Sequence, residues 1–508
     1  MSVSVTRKTF NGRPIRTVYD AEKKEWRFSA VDIVSALTEH PHDHARRHWS
    51  VTKARLNDAE NELSVKCCQL RLRSADGKMY DTDVLNRDGA ILLARRVTRP
   101  SHLRMSFTEW LEGFRDGEGW YMLRHKDTDV LEIELDRSGE ILSFGKISDH
   151  RHLPVGTVQK NGLDLRTIRA WWKRRSIPER REGLWWLLDT FDMTTPLPMS
   201  EKSYGLSLSD QYWICPHNAG LRWEDMNFFH NAFSDDVGDM LFQKVGWDEL
   251  DTGTVNFFSP DSTTDGMLRK RWMVIDGKHC LVKGGREPFE QEIANEVLAS
   301  RICGRLGIPH AEYRMIKIDG KRYCVCDNFV TEDTELITAW HIHDLIKRDG
   351  NATEYGSFVS KAEELGIEDA RIRMDMMIVL DFIIVNTDRH YNNFGLIRDA
   401  NTLEWLSVAP VYDSGTSMWC NALTENMDAE DPGLKSRTFR SRHIEQIELV
   451  NDLSWLDIDK LNGIEDEYAG ILNDPDTGPS EFGAHSGRLC AELRRRIELL
   501  RTLKEMRK

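Results

Sequence analysis

The chain has 508 residues, too many for one hydrophobic core and enough for two or three domains. Its 40% hydrophobic and 30% charged residues suit a globular protein; the longest strongly apolar run, 376–385, is broken by Asp381 and reaches only about half the length of a membrane span, so no membrane partner is expected. Nine scattered cysteines form neither a disulfide framework nor a zinc-finger spacing, and the opening MSVSVTRKTF lacks the apolar core of a secretion signal, so a reduced, cytoplasmic setting is expected.

The formal charge of −14 is uneven. Residues 1–115 hold 21 Lys/Arg against 15 Asp/Glu, about +6, which leaves about −20 on the rest. A basic front module on an acidic body would direct nucleic acid to the front, although a solvated surface with uneven charge accounts for the numbers equally well.

In chain order, the alternating residues 14–19 and the residues 26–28 after a charged turn predict two strands. Ser29 stands where a helix N-cap belongs, with Val31, Val34 and Leu37 near one face of a helix over 30–37. A second helix over 45–56 is rich in Arg, Lys and His. His40, His42, His44 and His48 make a metal-like tract, but no further ligand is fixed and a polar loop before a basic helix explains it as well. Residues 69–74 and 79–84 flank Ala75-Asp76-Gly77-Lys78, a hairpin signal because Asp-Gly tolerates positive φ. A short helix covers 88–96, and the stretch from Pro100 to 119 leads into the next domain. Strands are expected at 120–123 and 129–135. The basic, aromatic run 170–178 would touch nucleic acid if read alone, but a helix packing its two tryptophans inward with Arg and Lys facing water is the better account.

From about 205, residues 272–275 and 279–283 straddle Asp276-Gly277, 288–306 reads as a long helix, and 313–318 and 323–329 straddle Asp319-Gly320. From 339 the chain is mainly helical, ending in a charged helix over 487–508. The expected fold class is α+β and multidomain. A small α/β domain covers 1–115, a connecting region 118–200, a strand-rich part 201–335 and a helical part 336–508.

The chemistry lies in four places. Asp388 and Asn393 form Asp-x-x-x-x-Asn after an apolar helix, and twenty residues beyond Asn393 Asp413-Ser414-Gly415 follows a short apolar strand. Lys283 ends the strand 279–283, and thirteen residues later Glu296 lies on the next helix, with Glu292 as a rival one turn earlier. Each feature is weak alone. In this order they supply what phosphoryl transfer requires: a lysine on the phosphates held by a glutamate, a positioned base (Asp388) and oxygen ligands for Mg²⁺ (Asn393, Asp413). The turn-rich 259–266, Ser-Pro-Asp-Ser-Thr-Thr-Asp-Gly, precedes the lysine strand where a phosphate-covering loop would be, yet it is neither Gly-x-Gly-x-x-Gly nor a Walker motif. His390 is read as structural, and Asp381 as a buried charge bracing the catalytic loop by accepting backbone hydrogen bonds. Asp375 is open to the same reading.

Asn386-x-Asp388-x-His390-x-x-Asn393-Phe394 with Ala409-Pro410-x-Tyr412-Asp413 resembles the core of HipA-like serine/threonine kinases. Gln291-Glu292-x-x-Asn295-Glu296, Asp327 to Phe329, His152-Leu153-Pro154-x-Gly156 and Trp171-Trp172-x-x-Arg175-x-Ile177-Pro178 resemble the same family, so the likeness spans roughly 118–500. It implies a bilobal fold with a mainly helical C-lobe, ATP and Mg²⁺, and serine/threonine phosphorylation. Asp388 would be the base, and Lys283 with Glu296, Ser259, Thr263, Asp327 and Phe329 would surround the nucleotide. Asn393 and Asp413 would take the metal. The phosphate loop departs from the family's Ser-Gly-rich form, and Ser259, Ser262, Thr263 and Thr264 all qualify as an autophosphorylation site. The family implies a toxin of a toxin–antitoxin pair, an antitoxin partner, and a protein substrate such as an aminoacyl-tRNA synthetase or another translation factor. A lipid or small-molecule kinase on the same scaffold, and a nucleotide-binding regulator without catalysis, remain alternatives.

Residues 8–110 resemble the Bro-type N-terminal domain of phage and viral regulators, through Phe10-Asn11-Gly12-x-Pro14-Ile15-Arg16, Trp26-x-Phe28-Ser29-x-Val31-Asp32, Ala45-Arg46-x-x-Trp49 and Ala75-Asp76-Gly77-Lys78. That likeness implies DNA binding, with Arg46, Arg47, Lys53 and Arg55 as phosphate contacts. A plain solvent face explains these four as well.

Overall fold

The computed structural model describes residues 5–10, 13–20, 23, 25–54, 66–73, 78–97, 104, 107, 108, 110, 111, 119–136, 138–217, 219–242, 255–287, 289–346, 353–473 and 483–507. They fall into two units: Met1–Met122 with Leu131–Ser148 and Cys215–Gly220, and Leu123–Val130 with Asp149–Ile214 and Leu221–Lys508.

In the first unit, β1 (Val5–Phe10), β2 (Arg13–Asp20), β3 (Glu25–Ser29), β4 (Cys67–Arg73) and β5 (Met79–Leu85) form an antiparallel sheet in the order β1-β2-β3-β5-β4. β1 is an edge strand that the sequence reading missed, because Val-Thr-Arg-Lys-Thr-Phe shows no apolar alternation. Ser29 caps the helix Ala30–Thr38, its Oγ accepting from the Asp32 amide at 3.4 Å, and the helix lays Ile33, Val34 and Leu37 on Phe28 and Ile15. The next helix, His42–Ala54, starts three residues earlier than its periodicity indicates, because the Pro41 carbonyl accepts from the amides of His44 and Ala45. Arg55 and the Asp76-Gly77 turn lie outside the described residues. Phe107, Trp110 and Leu111 join Phe10 and Phe28 in this core, so this part of the 100–119 stretch packs within the first unit instead of merely leading out of it.

Strands β6 (Trp120–His125), β7 (Thr128–Leu135) and β8 (Ile141–Ile147) follow, then the two-residue strands β9 (Val158–Gln159) and β10 (Gly162–Leu163), and β11 (Tyr212–Pro216). The helix Leu165–Arg174 buries both Trp171 and Trp172. The expectation that the basic residues beside them face water fails at Arg175. Its guanidinium turns inward to the carbonyls of Gly205 (2.6 Å) and Tyr212 (3.0 Å) and pairs with Asp210.

The second unit contains an antiparallel sheet of β12 (Lys270–Ile275), β13 (Lys278–Lys283), β14 (Tyr313–Ile318) and β15 (Lys321–Asp327), in the order β12-β13-β15-β14. Both Asp-Gly turns hold positive φ at each central residue, 50° and 76° in either case, the geometry that joins twisted strands tightly. The helix Gln291–Leu306 packs Ile293 and Val297 against Tyr313, Cys324 and Cys326. A second sheet, β16 (Thr334–Thr338), β17 (Gly395–Asp399) and β18 (Trp405–Val408), stands among the helices Glu354–Glu364, Ala370–Ile384, Ile464–Leu472 and Gly483–Met506. Their shared core includes Ile378, Phe382, Tyr468 and Leu493. Among the described residues no helix is long and apolar enough to cross a membrane.

Candidate functional site

A cavity of about 730 Å³ opens in the second unit, and Lys270, Lys283, Asp388, Asn393, Asp413 and Phe329 are among its lining. That is the size of a small-molecule site.

The register of β13 turns Lys283 inward at the strand's end. Its ammonium lies 2.8 Å from Glu296 Oε1, 2.8 Å from Asp413 Oδ1 and 2.9 Å from the Tyr313 hydroxyl. Burial works against the lysine's charge, but Asp413 and Glu296 overcome it and hold the ammonium well above its usual range. Burial likewise works against ionised Asp413, yet Lys283 and Lys270 drive its carboxyl far below the usual carboxylate range. Glu292 meets Arg286 instead of Lys283, at 3.0 Å.

The helix Gln291–Leu306 fixes the loop that carries Asp413. Glu296 Oε2 accepts from the Ser414 amide (2.9 Å), Asn295 Nδ2 donates to the carbonyls of Gly415 (2.9 Å) and Ser417 (2.8 Å), and Gln291 Nε2 donates to the Met418 carbonyl (2.7 Å). Position 415 is tight, since a Cβ there would stand 3.0 Å from the Glu292 carbonyl oxygen and 3.2 Å from Glu296 Cγ.

The helix Ala370–Ile384 ends on Val385 at φ 51°, an uncommon conformation for a β-branched residue, and delivers the loop 386–393 to the cavity. Asn386 Oδ1 accepts from the Asp388 amide at 2.9 Å. Asn393 Nδ2 donates to the Asp388 carbonyl at 2.9 Å, an orientation that leaves the amide oxygen as the ligand atom. With the Asp413 carboxylate this makes a hard-oxygen donor set that suits Mg²⁺.

Asp388 Oδ1 is 3.0 Å from Arg437 Nη1, and its Oδ2 is 3.9 Å from His390 Nε2. Burial raises the Asp388 carboxyl above its ordinary value despite these two neighbours, the direction that suits a base. His390 also braces the loop, its Nδ1 accepting from the Asn392 amide at 3.3 Å and its backbone bonding to Asp388 and Asn393 (2.8 Å each).

Arg389, which the sequence reading passed over, is the brace. Wholly buried, it donates to both oxygens of Asp381 (2.9 and 3.0 Å), to the carbonyls of Asn393 (2.9 Å) and Tyr412 (2.5 Å), and to Ser414 Oγ (2.8 Å). One guanidinium thereby ties the 386–393 loop to the 412–414 loop. Asp381 does brace the loop, but through side-chain donors, Arg389 and Asn386 Nδ2, and not through backbone amides. Asp375 does accept backbone amides, from Asn451 (3.2 Å) and Asp452 (3.4 Å), and also takes the Tyr355 hydroxyl.

The turn-rich segment is packed inward. Ser259 is fully buried, capping the short 3-10 turn Pro260–Thr263 through the Asp261 amide (3.3 Å), and it is not among the cavity lining. Thr263 lines the cavity, but its hydroxyl donates to the Leu206 carbonyl at 2.7 Å. Ser262 and Thr264 donate to the carbonyls of Phe257 (3.0 Å) and Pro260 (2.8 Å). All four hydroxyls named as phosphorylation candidates are therefore buried. Arg181 secures the segment from behind through the carbonyls of Gly266 (2.9 Å) and Thr264 (2.5 Å).

Lys270 is a second cation that spacing did not reveal. It sits directly across from Lys283 in the β12–β13 register, and burial beside Lys283 and Arg181 lowers its pKa. The Lys270 ammonium packs over Gly266, whose φ of 103° is one that residues with a Cβ rarely adopt.

Asp327 and Phe329 behave differently from each other. The Asp327 carboxylate is engaged by Lys278 (2.7 Å) and Arg314 (2.9 Å), whose hydrogen bonds draw it down to about 2. Phe329 lines the cavity with its ring against Tyr412, centroids 5.5 Å apart.

In the first unit, Arg46 and Arg47 are exposed on the helix His42–Ala54. Lys53 is engaged, its ammonium 2.7 Å from Asp83 Oδ1, and Asp83 also accepts from Trp49 Nε1 at 2.7 Å. His42 meets Asp32 at 3.1 Å, and among the described residues no cluster of three or more His, Cys, Asp or Glu is arranged to hold a metal.

Residues 263–468 match the HipA-like C-terminal domain family, a span that contains Lys270, Lys283, Glu296, Asp388, Asn393 and Asp413. The serine/threonine-protein kinase CtkA of Helicobacter pylori is 22% identical over 147 residues, covering 26% of this chain and 45% of CtkA, so the chain spans about half the length of that curated relative. Among solved structures, the Helicobacter pylori proinflammatory kinase CtkA has a TM-score of 0.34 at 19% identity, covering 45% of this chain and 89% of that one. HipA of the toxin–antitoxin system of Shewanella oneidensis MR-1, solved with HipB and operator DNA, has a TM-score of 0.44 at 13% identity, covering 74% and 96%.

Proposed function

We propose that this chain is an ATP- and Mg²⁺-dependent serine/threonine protein kinase of the HipA-like kind, bilobal in its second unit, with a Bro-type DNA-binding domain in front. The observation that carries this reading is the convergence of Lys283, Asp388, Asn393 and Asp413 on one cavity. Lys283, held by Glu296, would take the α- and β-phosphates, with Lys270 as a second cation beside it. Asp388 would orient the acceptor hydroxyl and accept its proton. Asn393 and Asp413 would hold Mg²⁺, which neutralises charge on the phosphates when bound. Phe329 offers an apolar wall to a nucleobase.

A HipA-like kinase would act on a protein, with an aminoacyl-tRNA synthetase or another translation factor as the substrate class, and would be restrained by an antitoxin. Arg46 and Arg47 are exposed cations that the first unit would offer to DNA phosphates. The test is mass spectrometry of phosphopeptides after wild type and Asp388→Ala are incubated with ATP and cell lysate. New phosphoserine or phosphothreonine with the wild type alone is the expected result. Identical phosphopeptides from both proteins would remove Asp388 as the base.

A further inference from the structure

Residues 434–443 fold back as a hairpin. The Ser436 amide donates to the Ser441 carbonyl (2.9 Å), the His443 amide donates to the Leu434 carbonyl (3.0 Å), and Lys435 and Arg442 are bridge partners. The hairpin is anchored from inside. Phe439 packs against Tyr355, Phe358 and Phe394, while Gln446 accepts from the Arg440 amide (3.0 Å) and donates to the Arg437 carbonyl. Its tip touches the loop that carries Asp388, with the Thr438 hydroxyl donating to the Arg389 carbonyl and Arg437 reaching Asp388 itself.

The outward charges of this hairpin run against the rest of the body. Residues 435–442 read Lys-Ser-Arg-Thr-Phe-Arg-Ser-Arg, four cations and no acid, although the chain beyond residue 115 carries a net charge of about −20. All four cations are exposed while Ser436, Phe439 and His443 between and beside them are buried. Local compensation is partial: Arg437 pairs with Asp388 at 3.0 Å, Arg442 comes only within 4.0 Å of Glu445, and Arg440 donates to the carbonyl of its own neighbour, Phe439. None of the four lines the cavity, so the strip is set apart from the wall that holds Lys283 and lies beside Asp388.

Resting on the kinase reading, we propose that this hairpin is the acceptor-docking surface and that it selects serine or threonine segments flanked by acidic side chains. The anchored backbone fixes where the four cations leave the chain, so binding has to order their side chains but not the hairpin itself. Arg437 links recognition to chemistry. Exposed ion pairs are weak and exchange readily, so an acidic residue next to the acceptor draws Arg437 away and leaves Asp388 free to meet the hydroxyl.

The test uses the full-length protein with MgATP and two matched sets of serine and threonine peptides, one with Asp and Glu flanks and one with Lys and Arg flanks. The readout is the ratio of kcat/KM between the sets, which is insensitive to the overall activity of a preparation. The wild type is expected to favour the acidic set by roughly tenfold, a preference that shrinks in high salt. In the double variant Arg440→Glu/Arg442→Glu the ratio falls below one, and in Arg440→Lys/Arg442→Lys it stays near the wild-type value. A wild-type ratio near one, or a ratio unmoved by charge reversal, overturns the docking proposal while phosphoryl transfer stands. No transfer to either set, nor to the protein itself, overturns the kinase reading and this proposal with it.

Discussion

Two groups of charged side chains in this chain are held in opposite ways. Around the cavity Lys283, Glu296, Asp381 and Arg389 are buried, and each meets an opposite charge within 3.0 Å. On the helix His42–Ala54 the cations Arg46 and Arg47 stand exposed, and only Lys53 is fixed, by Asp83. A buried charge without its partner is costly, so a fold that keeps one must also supply a counter-charge at a set place. An exposed charge costs little anywhere, so its position says far less about its task. The largest predicted effect tests the chemistry of the first group. Asp388→Ala should cut phosphoryl transfer by about 10²- to 10⁴-fold, the range for a positioned general base, while MgATP affinity by calorimetry stays near wild type. Parallel losses of both would move Asp388 from base to nucleotide ligand.

The partnering itself is tested by Arg389→Met, which leaves the Asp381 carboxylate buried with only Asn386 Nδ2 to support it. Breaking a buried pair from one side costs about 3–5 kcal/mol, so this variant should unfold at markedly lower urea than the wild type. Substituting Asp381→Asn as well should recover part of the loss, because the orphaned charge is then gone. A single variant as stable as the wild type would show that water replaces the guanidinium.

The same contrast explains what was readable beforehand. The Asp-Gly turns at 276–277 and 319–320, the Ser29 cap and the Asp388-to-Asn393 spacing are local features, and each stands where its residues indicate. Lys270 was missed because nothing marks it until β12 pairs with β13 and places it across from Lys283. Arg389 and Arg437 were missed because a guanidinium's role is set by what it meets 8 to 49 residues away. Ser259 resembles a ligand contact in the sequence because turn formers also build phosphate loops, but hydroxyls can equally cap a turn from inside, and this one does.

Asp261 departs from the rule of paired buried charges, and pH exposes it. Burial pushes its carboxyl up to about 7, against the Trp272 amide and Arg271, which favour the ionised form. The folded protein therefore holds a proton that the unfolded chain, with the ordinary value of 3.8, has released. Wild-type stability from this group falls as pH rises from about 4 to about 7 and is flat above that. Asp261→Asn keeps an oxygen for the Trp272 amide and cannot ionise, so its melting temperature should exceed that of the wild type by more at pH 8 than at pH 5. An equal difference at the two values would mean that Asp261 titrates normally.

The smallest effects belong to the exposed cations of the first unit, and they separate a binding face from a solvated one. If Arg46 and Arg47 neutralise DNA phosphates, each Ala substitution in the full-length chain should lower the log–log salt slope of duplex binding by about 0.9. Lys53→Ala should leave that slope unchanged, because its ammonium is already held by Asp83, and should cost somewhat more than the roughly 1 kcal/mol of an exposed ion pair, because the Asp83 side chain left behind is only 13% exposed. Equal slopes for all three variants would return the helix to the plain solvent face its composition equally allows. A lower slope in Lys53→Ala alone would mean that Lys53 leaves Asp83 when DNA binds, so that a charge fixed inside its domain can still serve a partner.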